Sequence, residues 1–228
     1  MRGFCTIRHA AHTSVLSTPE PRRIPMSSII HYFDYKSPYA YLAQQPTFDL
    51  ARASGTSIEW RPYTLQIEKY LGAAELDAEG RDTRGTRNDH QWRRVRYSYM
   101  DCRREANRRG LTIRGPRKIF DSSLAHIAFL YVSERGDFSA FHNAVFERFW
   151  RRELDIENVS VLGALITEFG FDGAGFSAYV QGEGRSRHDA VQLEAEAAGV
   201  FGVPSYLING ELFWGLERLE RVTELLGR

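Results

Sequence analysis

The pair Ser37-Pro38 is the first place in this 228-residue chain where residue types and spacing could do chemistry. Serine is favoured at a helix N-cap and proline at the first helical position, so a helix is predicted to begin here. A hydroxyl at that point lies beside unpaired N–H groups and the positive end of the helix dipole. Such surroundings stabilise an anion, including a thiolate brought by a ligand. The same serine also serves as a plain cap for the N–H of Tyr39 or Ala40, and the pair alone leaves both roles open. Lys36 either extends into solvent or sets its charge beside that anion, where it would lower a thiol pKa or attract a carboxylate. Val203-Pro204 opens a late strand pattern. In Gly215-Leu216-Glu217-Arg218 the acid either complements a helix dipole or receives a ligand's ammonium.

Other chemistries lack their residues. The two cysteines, Cys5 and Cys102, show no metal-ligand or C-x-x-C spacing, which excludes a disulfide framework and fits a reducing cytoplasm. His31, His90, His126, His142 and His188 form no paired ligand spacing, so no metal is expected, and no G-x-S-x-G elbow occurs. The net charge of +1 hides an uneven distribution. Arg81 to Lys118 holds 13 basic and 4 acidic residues, whereas Glu153 to Arg228 holds 5 basic and 13 acidic. The basic stretch reads as a solvated face, as the rim of an anion pocket, or as a nucleic-acid surface. No nucleic-acid motif accompanies it, and nucleic acid is not expected as a partner. No apolar run approaches the roughly 20 residues of a membrane helix.

The positioning elements follow from periodicity. Ile29 to Tyr35 reads as a buried strand, Tyr39 to Ser54 as a helix closed by Gly55, and Ser57 to Leu65 as a strand whose Pro62 indicates an edge. Gly72 to Asn88 is predicted as a loop with a short helix. Trp92, Val95, Tyr99, Cys102 and Ala106 place an apolar stripe on a helix ending at Gly110. Further helices are expected over 122–133, 137–150, 158–169 and 176–199. Asn209-Gly210 between two apolar runs predicts a type I′ hairpin over 205–214, followed by a helix from Leu216 to Leu226. Residues 1–28 read as a flexible extension lacking a secretory apolar run.

The order β-α-β, helices, β-β-α resembles an α/β, thioredoxin-like fold with a large all-helical insertion, as in the DsbA-like group. More narrowly, Tyr32 to Ala43 (YFDYKSPYAYLA) resembles the amino-terminal signature of 2-hydroxychromene-2-carboxylate isomerases and kappa-class glutathione transferases. Phe201 to Ser205 (FGVPS), followed by Glu211 to Gly215 (ELFWG), is similar to their second signature. The resemblance covers roughly 29–228. It implies a thioredoxin-like domain from 29–67 and 200–228, with an inserted helical domain from 68–199.

The resemblance also implies a mechanism. Glutathione is the expected cofactor, with Ser37 holding its sulfur ionised. The thiolate adds to an unsaturated aromatic carboxylate, the adduct rotates about the new single bond, and elimination returns glutathione. It implies a cis Val203-Pro204 bond that presents the Val203 backbone to the tripeptide. Glu217 and the neighbouring Leu216 are expected at the γ-glutamyl end, although the family places Ser or Asn and then Asp at these positions. Lys36, Tyr39 and Asn88 are expected near the substrate pocket. A cytoplasmic enzyme of aromatic catabolism follows, with a homodimer compatible. A kappa-like transferase and a binding module without redox cysteines stand as alternatives.

Overall fold

Ile29–Phe33 forms β1, all but one of its residues buried, as an apolar run between two covering layers requires. Ser37 then caps α1, Pro38–Ser54, its Oγ accepting from the N–H of Ala40 at 3.2 Å. Gly55 ends the helix at φ 65°, a left-handed conformation in which a Cβ is costly. The chain returns as β2, Ile58–Pro62, parallel to β1 and shorter than the predicted 57–65. These coordinates are a computed structural model that describes residues 29–226. The predicted extension over 1–28, with Cys5, lies outside them.

A helical series follows: α2 (Ile67–Leu71), α3 (Asp89–Arg108), α4 (Ser123–Ser133), α5 (Ser139–Trp150), α6 (Val159–Glu168), α7 (Gly173–Tyr179) and α8 (Arg185–Ala197). The short helix expected within 72–88 falls earlier, at α2, and the segment after it is irregular. The single helix expected over 176–199 is two. Gly182 leaves helical conformation (φ −99°, ψ −112°) between α7 and α8. Gly184 then packs against Ile127 and Tyr179 where a Cβ would approach each to 2.8 Å.

β3 (Ser205–Ile208) and β4 (Glu211–Trp214) form the hairpin, with Asn209 at φ 51° and Gly210 at φ 83°, the two positive values a type I′ turn demands. A 3₁₀ turn over Leu216–Arg218 leads into α9, Leu219–Leu226, so the last α-helix starts three residues later than expected. The sheet order is β2-β1-β3-β4, with β3 antiparallel to both neighbours and β2 at an edge, where Pro62 removes no central ladder bond. One core cluster joins the sheet to α4 and α5, including Phe33, Tyr35, Phe129, Phe146 and Trp150. A smaller cluster, including Leu50, Tyr206 and Val222, seats α1 and α9 against the sheet. In α4 every residue from Ser123 to Val132 is buried, which puts this helix at the centre of the helical layer.

Candidate active site

The end of β1, the start of α1 and the segment before β3 meet at a cavity of about 770 Å³, large for a small-molecule site. Ser37 is on its wall, 4% exposed, with Lys36, Tyr39 and Val203 beside it. The Ser37 Oγ donates only a long contact, 3.5 Å, to the Val203 carbonyl. The Val203–Pro204 peptide is cis, and the buried Pro204 carbonyl accepts from the Gly215 N–H at 2.9 Å. The hydroxyl proton therefore has no strong acceptor within the protein, while its oxygen is engaged by the helix.

Lys36 is not the solvated lysine that its type suggests. It is 6% exposed, its Nζ 3.3 Å from Asp34 Oδ2 and donating to Ser122 Oγ at 3.1 Å. Asp34, fully buried, also accepts from the backbone N–H of Lys36 at 3.0 Å and of Leu65 at 2.8 Å. Burial alone would raise this carboxyl's pKa. The Lys36 ammonium and hydrogen bonds from His126 and Ser122 reverse that and hold it well below the usual carboxylate range. His126 Nε2 lies 3.4 Å from Asp34 Oδ1, and its Nδ1 is 2.8 Å from Thr64 Oγ1. Thr64 in turn reaches His188 Nε2 at 2.9 Å. Burial lowers the pKa of both histidines. This buried network ties the β1–α1 turn to β2, α4 and α8, and so fixes where Ser37 stands. Asp34, Thr64, Ser122, His126 and His188 escaped sequence reasoning because the histidines show no motif spacing and their partners are remote in the chain.

Three expected site residues are elsewhere. Asn88 is exposed and caps α3: its side chain accepts from the Gln91 N–H, and the Gln91 side chain accepts from the Asn88 N–H, each at 2.9 Å. A capping box uses both groups, and the cavity wall is built by its neighbours Arg87 and Trp92 instead. Leu216 is half-buried against the core and Glu217 is exposed, its carboxylate folded back over Gly215. Neither lines the cavity, because the 3₁₀ turn carries them away from it. Tyr39 does line it, with its hydroxyl 3.3 Å from Asp101 Oδ2 and its pKa raised chiefly by burial.

The remaining walls correct the reading of α3. Only Cys102 and Ala106 of its apolar stripe are buried; Trp92, Val95 and Tyr99 face the cavity. Tyr70 and Phe120 add to the apolar wall, and exposed Phe201 and Trp214, their rings 5.0 Å apart, stand at the mouth. Eight lining residues are cationic, Lys36, six from the basic stretch and Arg152, and none is acidic. The basic stretch thus supplies a pocket rim. Among the described residues no carboxylate is within ion-pair reach of Arg94, Arg96 or Arg117.

Comparison with known proteins follows the same division. A model of the DSBA-like thioredoxin domain matches residues 28–227. The chain belongs to that family. Within reach of it are two proteins named 2-hydroxychromene-2-carboxylate isomerase, from Sphingobium xenophagum and Pseudomonas putida, each 28% identical to this chain. The first match spans 85% of this chain and 94% of the relative, the second 86% and 93%. A solved structure of a 2-hydroxychromene-2-carboxylate isomerase superposes with a TM-score of 0.69 at 24% identity, covering 88% of this chain and 95% of the other. The thioredoxin-like α/β fold with helices intercalated between its strands is therefore shared along nearly the whole length. The residue at the N-cap of α1 is a serine, and the described cysteine, Cys102, is buried on α3. No described helix is long and apolar enough to cross a membrane.

Proposed function

We propose that this chain is a glutathione-dependent isomerase acting on an unsaturated aromatic carboxylate. The observation that carries the reading is Ser37: a hydroxyl at a helix N-cap, on the wall of a large cavity, whose proton lacks a strong acceptor in the protein. The cavity's chemistry fits glutathione, since Ser37 at the α1 N-terminus, Lys36 and the Val203 main chain stand together on a wall that carries no acid. When bound, glutathione would supply the nucleophilic sulfur that a thioredoxin-like site with serine at its N-cap does not contain.

The chain's own residues do the rest. Ser37 donates its hydroxyl hydrogen bond to the sulfur, and the α1 dipole favours the ionised form. The Asp34–Lys36–Ser122 network holds the turn rigid, so the hydroxyl is oriented before the ligand arrives. Trp92, Val95, Tyr70 and Phe120 give an aromatic acceptor an apolar bed and exclude water from it. The unpaired guanidinium groups attract its carboxylate. Two cysteines without motif spacing support a cytoplasmic location.

The test is calorimetric titration with glutathione, paired with an ultraviolet assay of chromene-carboxylate isomerisation, on wild type, Ser37→Ala and Ser37→Gly. Glycine is accepted at a helix N-cap at little cost but offers no side-chain donor. The reading expects both variants to lose turnover by about 10²-fold, the scale of losing one hydrogen bond to a reacting anion. Full activity in Ser37→Gly would leave Ser37 as a cap alone. Turnover of chlorodinitrobenzene without isomerisation would make the chain a transferase using the same sulfur site.

A further inference from the structure

The cavity wall remote in sequence from Ser37 carries a second polar construction. Three arginines from three segments meet there: Arg87 from the loop before α3, Arg103 on α3, and Arg152 just after α5. Each is anchored through its guanidinium to main-chain carbonyls rather than to a carboxylate. Arg87 Nε donates to Leu71 and Gly72 at 3.0 and 3.2 Å. Arg103 Nε donates to Ile113 at 3.3 Å, and Arg152 donates to Gly115 from Nε, at 2.9 Å, and from Nη2. Ile113 and Gly115 belong to one short stretch, so Arg103 and Arg152 are drawn together by the same piece of backbone.

Tyr99 stands among them. Its ring packs against Gly115, where a Cβ would meet it at 3.2 Å, and the Arg103 guanidinium carbon lies 5.6 Å from its centroid. Its hydroxyl has no hydrogen-bond partner among the described residues. Burial pushes this phenol up to about 12 against the pull of Arg87, Arg103 and Arg152, so it remains a donor at neutral pH. Arg152 also adopts φ 63°, a left-handed conformation that only one other described non-glycine residue, Asn209, shares. A backbone cost is thus retained at the residue that places one of the three cations.

Guanidinium groups anchored through Nε, with further Nη donors left over and gathered on the wall of a cavity that has no acid, describe half of an ion-binding site. We propose that Arg87, Arg103, Arg152 and the Tyr99 hydroxyl form a carboxylate subsite for the electrophilic acceptor, distinct from the residues that receive glutathione's sulfur. Planar guanidinium forks match a carboxylate bidentately, and Trp92, with the Arg87 guanidinium 5.0 Å from its ring centroid, extends a flat surface for an attached arene. The proposal rests on the isomerase reading for the reaction, but not for the binding.

The experiment is calorimetry on the full chain with 1-naphthoate and its neutral amide, 1-naphthamide, in wild type, Arg103→Gln, Arg152→Gln and the double variant. Wild type is expected to prefer the naphthoate by about tenfold, the scale of one charge-assisted hydrogen bond at a partly open site. The double variant should bring the preference below about threefold, with glutathione's Kd unchanged. Raising salt should narrow the wild-type preference, since the cations are solvent-accessible. Equal wild-type affinity for the two probes overturns the subsite without needing any variant to fold. Loss of glutathione affinity in place of naphthoate affinity overturns it too, by giving the cluster to the tripeptide. A protein that prefers naphthoate through these arginines yet isomerises nothing would retain the subsite and refute the reaction. An active isomerase whose acceptor KM ignores both substitutions would do the opposite.

Discussion

Replacing Lys36 by methionine removes one half of a buried ion pair and leaves the other half in place. The Nζ–Oδ2 separation of 3.3 Å corresponds to about 5 kcal/mol of attraction at an effective dielectric of about 20. Desolvating both ions consumes most of that, so the intact pair is worth far less than its Coulomb energy. Deleting one partner is different. Asp34 is fully buried, and an uncompensated buried charge costs about 3–5 kcal/mol. Two backbone N–H groups, at 3.0 and 2.8 Å, still bind the carboxylate, which moves the expectation for Lys36→Met to the low end, about 3 kcal/mol. Removing Asp34's charge as well, in Lys36→Met/Asp34→Asn, should recover part of the loss. The pH dependence has a definite sign. The Asp34 pKa is depressed in the folded protein, so its contribution is present above the unfolded value of about 3.9 and is lost as pH falls through the folded value. Without Lys36 that contribution shrinks, so the deficit of the variant should be largest near pH 7 and narrow below about pH 4. Urea unfolding of the three proteins across pH 3.5 to 7 measures this. A deficit under about 1 kcal/mol at pH 7, or one that does not change with pH, would refute Lys36 as the counter-ion.

Asn88→Ala should cost about 1 kcal/mol in thermal or urea unfolding, the value of an N-cap, while glutathione and naphthoate affinities by calorimetry stay unchanged. His31 is buried between Trp60 and Tyr206, its pKa lowered to about 3 by burial. The unfolded chain therefore takes up a proton from about pH 6.5 downward that the native state refuses, and stability falls with acidification. About 2 kcal/mol of the wild-type loss between pH 7 and 5 belongs to this residue. His31→Phe should remove that share of the slope in urea titrations, and a slope equal to wild type would contradict it.

Local signals made the frame of this protein readable. Ser37-Pro38 and Gly55 mark the two ends of α1, Pro62 places β2 at the edge, and Asn209-Gly210 supplies the hairpin turn, because each depends on backbone geometry that few residue types satisfy. Of the expected site residues, Lys36, Ser37, Tyr39 and Val203 line the cavity, each at or next to such a signal. Capping and ligand binding draw on the same side chains, and only the fold separates them. Asn88 spends both hydrogen-bonding partners on its own helix, and Leu216 and Glu217 turn aside in a 3₁₀ segment. Lys36 is buried by Ser122, 86 residues away, which no local pattern signals. Periodicity shows that α3 has an apolar face; it does not distinguish a face against protein from a face against a cavity, so Trp92, Val95 and Tyr99 read as core.

The two halves of the site are held by different means, and this separates what can change in each. Ser37 and Val203 stand at the ends of β1 and β3, elements locked by sheet ladders and by the buried Asp34 network, so small displacements there disturb the core. The arginine wall comes from the loop before α3, from α3 and from the turn after α5, held by side-chain donation to main-chain carbonyls. Substitution of exposed Arg103 on that wall leaves the sheet intact. The cationic lining of the cavity, eight cations and no acid, fits the proposed selectivity for an anionic acceptor.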